Sequence, residues 1–422
     1  MNILLAVLSV PFCWLLYALS GLFPRDPAKV VFGAPKDRFA DNSKYLFLEA
    51  VREGMPVCWI TGDTGVVRQL RSAGLPVHHR WSVPGLWWAL RAGTYVVTCY
   101  ANDVNFWTSR GCRLVNLWHG VPLKKIERSV RAGPVSRRHQ GTLTQRLPYL
   151  LLAPHVYRKP DVLLVPSPEL VEIFAEAFAI DSSRMLIGGY PRNAVLSFED
   201  HPLRRTRGNL TEDESLRLFG IARVPPTERL ILYAPTWRDD GRDFAESCPI
   251  DWHVLDRELA ARQARLTLRL HPAARMSTWD STLTRITLER TIDDIYPYLP
   301  VYDCLLTDYS SIYLDFLFLD RQIVFYPYDL DRYRSDVRGM YFDYESFAPG
   351  TIATDFPGLL SALFEADSAA DIERRAALVR RLRIDQRPIS ARELHMITGR
   401  PPQGTPGREP RPSHTRRAED KP

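Results

Sequence analysis

Cysteine is scarce in this chain. Its six thiols (Cys13, Cys58, Cys99, Cys112, Cys248 and Cys304) are spread over 422 residues, with no CxxC pair and no metal-site spacing. That excludes a disulfide-stapled scaffold and a zinc module, and it points to buried thiols in a reducing, cytoplasmic setting. No acidic cluster calls for a divalent ion, so no metal and no other cofactor is expected. No helix-turn-helix, RNP or zinc-finger pattern is present, which sets nucleic acid aside as a partner despite a net charge of +6 and a pI near 9.0. The positive excess then points to acidic lipid head groups or a phosphorylated substrate. Arginine outnumbers lysine, which suits phosphate binding and suits a GC-rich coding bias equally well.

Charge is also missing locally. Residues 1–24 hold no Asp, Glu, Lys or Arg, and as a helix they would reach roughly 34 Å, against about 30 Å for a hydrocarbon core. Pro11 interrupts the run, so a membrane anchor is expected either as a kinked span or as a shallow monotopic segment. A cleaved signal peptide is the main rival, but it lacks a basic n-region. A core segment is the third reading. Arg25 and Lys29 after the run favour a cytoplasmic carboxyl side. Acid is scarce again in 124–159, where nine Lys or Arg face the single Glu127 around the apolar stretch LPYLLLAPHVY. A basic rim on an apolar patch suits an anionic bilayer surface, and an ordinary surface loop is the alternative. Past Ile389 apolar periodicity ends, so 390–422 is expected to be a disordered tail.

What is present is an alternation of strands and helices. VVFGA, PVCWIT, YVVTCY and RLVNLW read as strands, with FLEAVREG and GVVRQLRSAG as helices between them. A second series follows Pro202: a capping box at Thr211 and Glu214, a stop at Gly220, then RLILYAP, ARLTLRL, CLLTDY and QIVFY. Alternation of this kind builds parallel sheets covered by helices. The expected fold is α/β and GT-B-like: two doubly wound, Rossmann-like domains facing a cleft. The expected parts are an anchor at 1–24, a first domain at 25–203 carrying the insertion 124–159, and a second domain at 204–389.

The most informative segment is LLTDYSSIYLDFLFLDRQIVFYPYDLDRY at 305–333. It reads as a strand from Val301 to Leu306, a polar turn, a helix opening at Ser310-Ser311, and a strand from Ile323 to Tyr326. Such a turn is an anion site, because backbone N–H groups and the helix dipole face it. A plain N-cap by Asp308, Ser310 or Ser311 is the alternative. His119 lies just past the strand RLVNLW, at the rim where ligands of open α/β sheets sit, and an imidazole there can take a proton near neutral pH. Pro122 suits the first turn of a following helix. Arg269 and His271 stand two apart on a strand, on one face, with Leu268 and Leu270 on the other. A cation beside an imidazole suits a diphosphate whose charge rises during transfer. Thr236 and Arg238 could add a hydroxyl and a guanidinium fork, Arg192 another fork, and Asp315 could orient Ser311 or a ribose hydroxyl.

LWHGVPLKK (117–125), GGYPRN (188–193), YAPTWR (233–238), LRLHP (268–272), TDYSS (307–311) and RGMYFDYESFAPG (338–350) occur in this order. Together with VFGAPKDRFADNSKYLF from Val31, the chain resembles the CDP-glycerol glycerophosphotransferase family over most of its length. The resemblance implies a CDP-polyol donor, a lipid-linked or polymer acceptor, and the cytoplasmic side of the cell membrane with its anionic lipids. It makes the second domain the CDP-polyol binder and the first domain the acceptor side. It makes His119 the base, with His271 and Arg269 beside it in catalysis. It lines the donor site with Trp118, His119, Gly120, Val121, Pro122, Arg192, Pro235, Thr236, Arg269, His271, Asp294, Ile295, Ser310, Ser311 and Asp315. Two positions depart from the family: Val121 where it often has Thr, and Ala194 where it often has Asp. A nucleotide-sugar glycosyltransferase on the same fold is the alternative, and a non-catalytic membrane scaffold is a third reading.

Overall fold

The computed structural model describes residues 3–382, apart from 239–242, 272, 273, 278 and 333–338. The expected tail at 390–422 lies outside the described residues. Seven strands build the first sheet: β1 (Asp26–Gly33), β2 (Val57–Thr61), β3 (Val77–His79), β4 (Ala92–Val97), β5 (Arg113–Asn116), β6 (Val162–Val165) and β7 (Met185–Ile187). Their order is β3-β2-β1-β4-β5-β6-β7 and every pair is parallel. Six strands build the second: β8 (Arg229–Ala234), β9 (Ala264–Arg269), β10 (Ile286–Glu289), β11 (Cys304–Thr307), β12 (Gln322–Phe325) and β13 (Thr351–Ile352). Their order, β10-β9-β8-β11-β12-β13, is again wholly parallel. Continuous apolar runs such as VCWIT and ILYA are buried along their length, as strands covered by helices on both faces must be.

In each sheet the order reverses beside the first strand, between β1 and β4 and between β8 and β11. Neighbouring loops there leave in opposite directions and open a crevice at the carboxyl ends of the strands. α2 (Asp41–Arg52), α3 (Thr64–Ser72) and α4 (Val83–Arg91) follow β1, β2 and β3, α3 being capped by the Asp63 carboxylate. The capping box at Thr211 and Glu214 forms, and Gly220 ends that helix with φ +69°.

Several boundaries differ from expectation. The strand expected at Val301–Leu306 is Cys304–Thr307, because Tyr296–Val301, with Pro297 and Pro300, winds as a 3-10 helix. The helix after it is short, Ile312–Phe316. No helix opens at Pro122; the chain instead pairs Lys124 with Met340 of the second domain. The helix Ala369–Leu382, expected in the second domain, touches the turn Pro168–Leu170, and its Leu378 and Leu382 join the core shared with β6. Covalent order therefore does not separate the two cores.

α1 (Ile3–Ser20) packs on the first domain. Tyr17 stacks on Phe106 at 4.7 Å, Trp14 meets Trp107 edge-on at 5.8 Å, and Ser20 is buried. Arg25, expected as an interfacial charge, instead gives its guanidinium to the carbonyls of Ala89, Ala92, Thr108 and Arg110. The insertion folds as α5 (Gly133–Gln140) and α6 (Leu143–Leu152), with α6 beside α1 through Trp14 Nε1 and the Leu151 carbonyl at 3.4 Å. Leu143, Leu147 and Leu151 form an exposed stripe on α6, and Phe12, Leu15 and Leu19 form another on α1, continued by Leu22. Among the described residues no helix is long and apolar enough to cross a membrane.

Candidate active site

The loop after β5 carries His119. Trp118 sits in the left-handed region (φ +54°), where a bulky side chain is strained, so neighbours must hold it. They do. Asn116 Oδ1 accepts the Trp118 N–H at 2.8 Å, and Asn42 Nδ2 donates to the Trp118 carbonyl at 2.7 Å. The His119 ring lies 4.1 Å from the Trp118 ring, with Nδ1 3.3 Å from Cys99 Sγ. The ring is exposed to the cleft, yet desolvation by the two domains around it lowers the imidazole pKa; Asp41 opposes this and Arg192 adds to it. Gly120 has φ +148°, and a Cβ there would stand 3.3 Å from Ser311 Oγ and 3.4 Å from Arg192 Nη2. The first-domain histidine turn and the second-domain serine turn thus meet across the cleft. Val121 is buried in the core, and Pro122 leads on to the bridge at Lys124.

Arg192, expected as a fork for phosphate, pins the two domains together in this structure. Its Nη1 donates to Asp41 Oδ1 at 2.7 Å and to the His119 carbonyl at 2.9 Å; its Nη2 reaches Asp315 Oδ2 at 2.7 Å. The guanidinium lies 4.4 Å from the Tyr296 ring centre. Asp315, expected to orient Ser311 or a ribose, spends its carboxylate on Arg192 and on the Tyr296 hydroxyl at 2.8 Å. Burial raises its pKa against the pull of Arg192. A second pin runs from Asp294 to Lys44 Nζ at 2.6 Å and the Tyr45 hydroxyl at 2.8 Å, while Ile295 is buried in the core. Asp41, Asn42, Lys44 and Tyr45 were not singled out from sequence, since a polar helix start reads as simple capping. The one available signal was their place inside the segment that carries the family resemblance.

Arg238 is also taken. Its Nε and Nη2 bind both oxygens of Asp329 at 2.8 Å, and its Nη1 lies 2.9 Å from Asp308 Oδ2. Asp308 does not cap the helix; its Oδ1 accepts the Thr236 N–H at 2.8 Å and ties the β8 loop, with Pro235, to the β11 loop. Thr236, just past the carboxyl end of β8, has a buried Oγ1 that lacks a hydrogen-bond partner among the described residues. Ser311 has helical angles (φ −65°, ψ −4°) and makes no cap bond, and Ser310 is half-buried beside it. Among the described residues neither hydroxyl is shown in a hydrogen bond.

β9 ends at Arg269, so His271 lies in the loop, while Leu268 and Leu270 point into the core as expected. Arg269 Nη1 donates to Glu289 Oε2 at 2.5 Å; the other oxygen of Glu289 accepts the N–H groups of Thr291 and Ile292. His271 stacks on Trp237 at 5.8 Å. The ring is exposed, but partial desolvation lowers its pKa, as do Lys36, Arg38 and Lys124. A cavity of about 200 Å³ lies between the domains, lined by Arg38 from the first and by Arg269, His271, Glu289, Arg290 and Asp293 from the second.

Two Rossmann-type sheets with a histidine turn and a serine helix start facing each other across a cleft define a GT-B transferase. A family model described as CDP-glycerol:poly(glycerophosphate) glycerophosphotransferase matches residues 15–386, and the chain belongs to that family. It is 30% identical over 346 residues to the teichoic acid glycerol-phosphate transferase of Staphylococcus aureus, covering 79% of this chain and 82% of that one. It is 29% identical to the teichoic acid poly(glycerol phosphate) polymerase of Bacillus subtilis, of whose length it spans only 38%. The structure of the wall teichoic acid polymerase TagF superposes with a TM-score of 0.71 at 24% identity, covering 94% of this chain and 95% of that one. That likeness concerns the fold.

Proposed function

We propose that this protein transfers glycerol phosphate or ribitol phosphate from the CDP-polyol to a hydroxyl of a membrane-linked acceptor, releasing CMP, in the assembly of teichoic acid or a similar surface polymer. The acceptor hydroxyl gives its proton to His119 and attacks the β-phosphorus; the bond from that phosphorus to the bridging oxygen breaks, and CMP leaves. Nδ1 of His119 faces Cys99, which leaves Nε2 for the hydroxyl. Phosphoryl transfer needs positioning and charge stabilisation. Thr236, the Ser310-Ser311 helix start, Arg269 and His271 supply these on the donor side. The observation that carries the reading is the contact of Gly120 with Ser311, which brings the base and the anion-binding turn together from two domains.

The exposed stripes of α1 and α6, with the basic residues of the insertion, support docking on the anionic inner face of the membrane. A lipid-linked acceptor requires the cleft to stay within reach of that plane. The test is a matrix of CDP-glycerol and CDP-ribitol against lipid-linked acceptors, following CMP release. No CMP with any pairing refutes the reading. Thermal stabilisation by UDP or GDP, and not by CDP or CMP, would favour a nucleotide-sugar transferase instead.

A further inference from the structure

The cations that sequence assigns to phosphate are largely neutralised by carboxylates: Arg269 and Arg238 of the second domain by Glu289 and by Asp308 and Asp329, and Arg192 of the first by Asp41 and Asp315. A diphosphate whose charge shifts during transfer needs further compensation, and preorganised cations facing it are the efficient source. The loop between β1 and α2 supplies them. Arg38 lines the interdomain cavity opposite His271 and Arg269, with its Nε 3.5 Å from Asp293 Oδ1 on a partly exposed edge. Lys36 precedes it by two residues, is exposed, and acts electrostatically on His271, as does Lys124 of the neighbouring loop.

This loop is built rigid. Lys36 and Asp37 are both left-handed (φ +58° and +61°), a conformation that persists only where surroundings impose it. Asp37 Oδ1 accepts the Gly62 N–H at 2.7 Å and is paired with Arg80, while Thr61 Oγ1 donates to the Asp37 carbonyl at 2.8 Å. A Cβ on Gly62 would lie 2.8 Å from Asp37 Oδ2, so the approach is as close as backbone allows. The clamp fixes the loop through Asp37 and leaves Arg38 on the cavity wall with Lys36 exposed two residues before it.

We propose that Lys36 and Arg38, seconded by Lys124, form a first-domain phosphate subsite across the cavity from His271 and Arg269. It rests on the transferase reading above, which supplies two sources of phosphate: the donor's diphosphate and a phosphate of the acceptor. Bound phosphate takes the place of Asp293 on Arg38 and draws the first domain onto the second.

The test is Lys36→Ala/Arg38→Ala in the full-length protein, with Arg38→Lys as the conservative control and circular dichroism as the folding check. The clamp residue Asp37 is untouched. Calorimetric titrations use CDP, CMP, cytidine and inorganic pyrophosphate, and KM is measured for the acceptor. The double variant should bind CDP and pyrophosphate about 10- to 100-fold more weakly, at about tenfold for each lost charge-assisted bond, with cytidine affinity unchanged. That result assigns the subsite to the donor. Unchanged CDP and pyrophosphate affinity with an acceptor KM raised tenfold assigns it to the acceptor's phosphate. All affinities and KM values within twofold of wild type overturn the proposal. Wild type that binds pyrophosphate through these residues but not CDP refutes the donor reading while leaving the subsite standing.

Discussion

Arg192→Met removes one cation from between two carboxylates and nearly keeps the volume, so it isolates the electrostatics of the interdomain pin. Asp41 is a quarter exposed and keeps water as a partner; Asp315, at 6%, keeps only the Tyr296 hydroxyl. Breaking a buried pair by removing one partner costs about 3–5 kcal/mol. Protonation sets the ceiling: holding a carboxyl of ordinary pKa, about 3.9, neutral at pH 7 costs about 4 kcal/mol, and at pH 5 about 1.5 kcal/mol. In the variant the folded state carries a proton on Asp315 that the unfolded state lacks, so its stability falls as pH rises. Because burial raises the Asp315 pKa even beside Arg192, wild type shares part of this dependence, and the deficit should shrink by at most about 2.7 kcal/mol between pH 7 and pH 5. Urea unfolding followed by tryptophan fluorescence reads it, and Arg192→Met/Asp315→Asn should abolish the pH dependence. A single variant with the wild-type midpoint at pH 7, or a deficit equal at both pH values, refutes the pin.

His119→Ala should lower turnover about 10²- to 10⁴-fold with CDP affinity retained, and the acid limb of wild-type kcat/KM should lie below the ordinary imidazole value of about 6.5, because desolvation in the cleft favours the neutral ring; an acid limb above 6.5 would contradict this. Arg238→Ala should destabilise the second domain by leaving Asp308 buried without its cation, whereas Ser310→Ala should leave stability intact and weaken nucleotide binding by about 1–3 kcal/mol, as denaturation and CDP titration will distinguish. Deleting α1 would uncover Phe106 and Trp107, so the membrane is better probed with serines at Leu15, Leu19, Leu143 and Leu147: either stripe alone should leave partial binding to anionic vesicles that high salt releases, and both together should abolish it. Retention of vesicle binding by the fourfold variant would remove these helices from the interface.

Strand positions, sheet class and the histidine and serine turns were legible from the residues alone, because buried parallel strands need continuous apolar runs and turns need particular residue types. The family resemblance added the donor and the order of the site. Sequence could not tell a cation that waits for phosphate from one already paired, since Arg192, Arg238 and Arg269 look alike along the chain. Their carboxylate partners lie between 20 and 151 residues away and arrive only when strands and domains assemble. The same holds for α1, which reads as an anchor, a signal peptide or a core segment until Phe106 and Trp107 meet its aromatic face. Local composition determined which elements form and which side chains could do the chemistry; the crossing of two sheets decided which of those charges remain to meet a substrate.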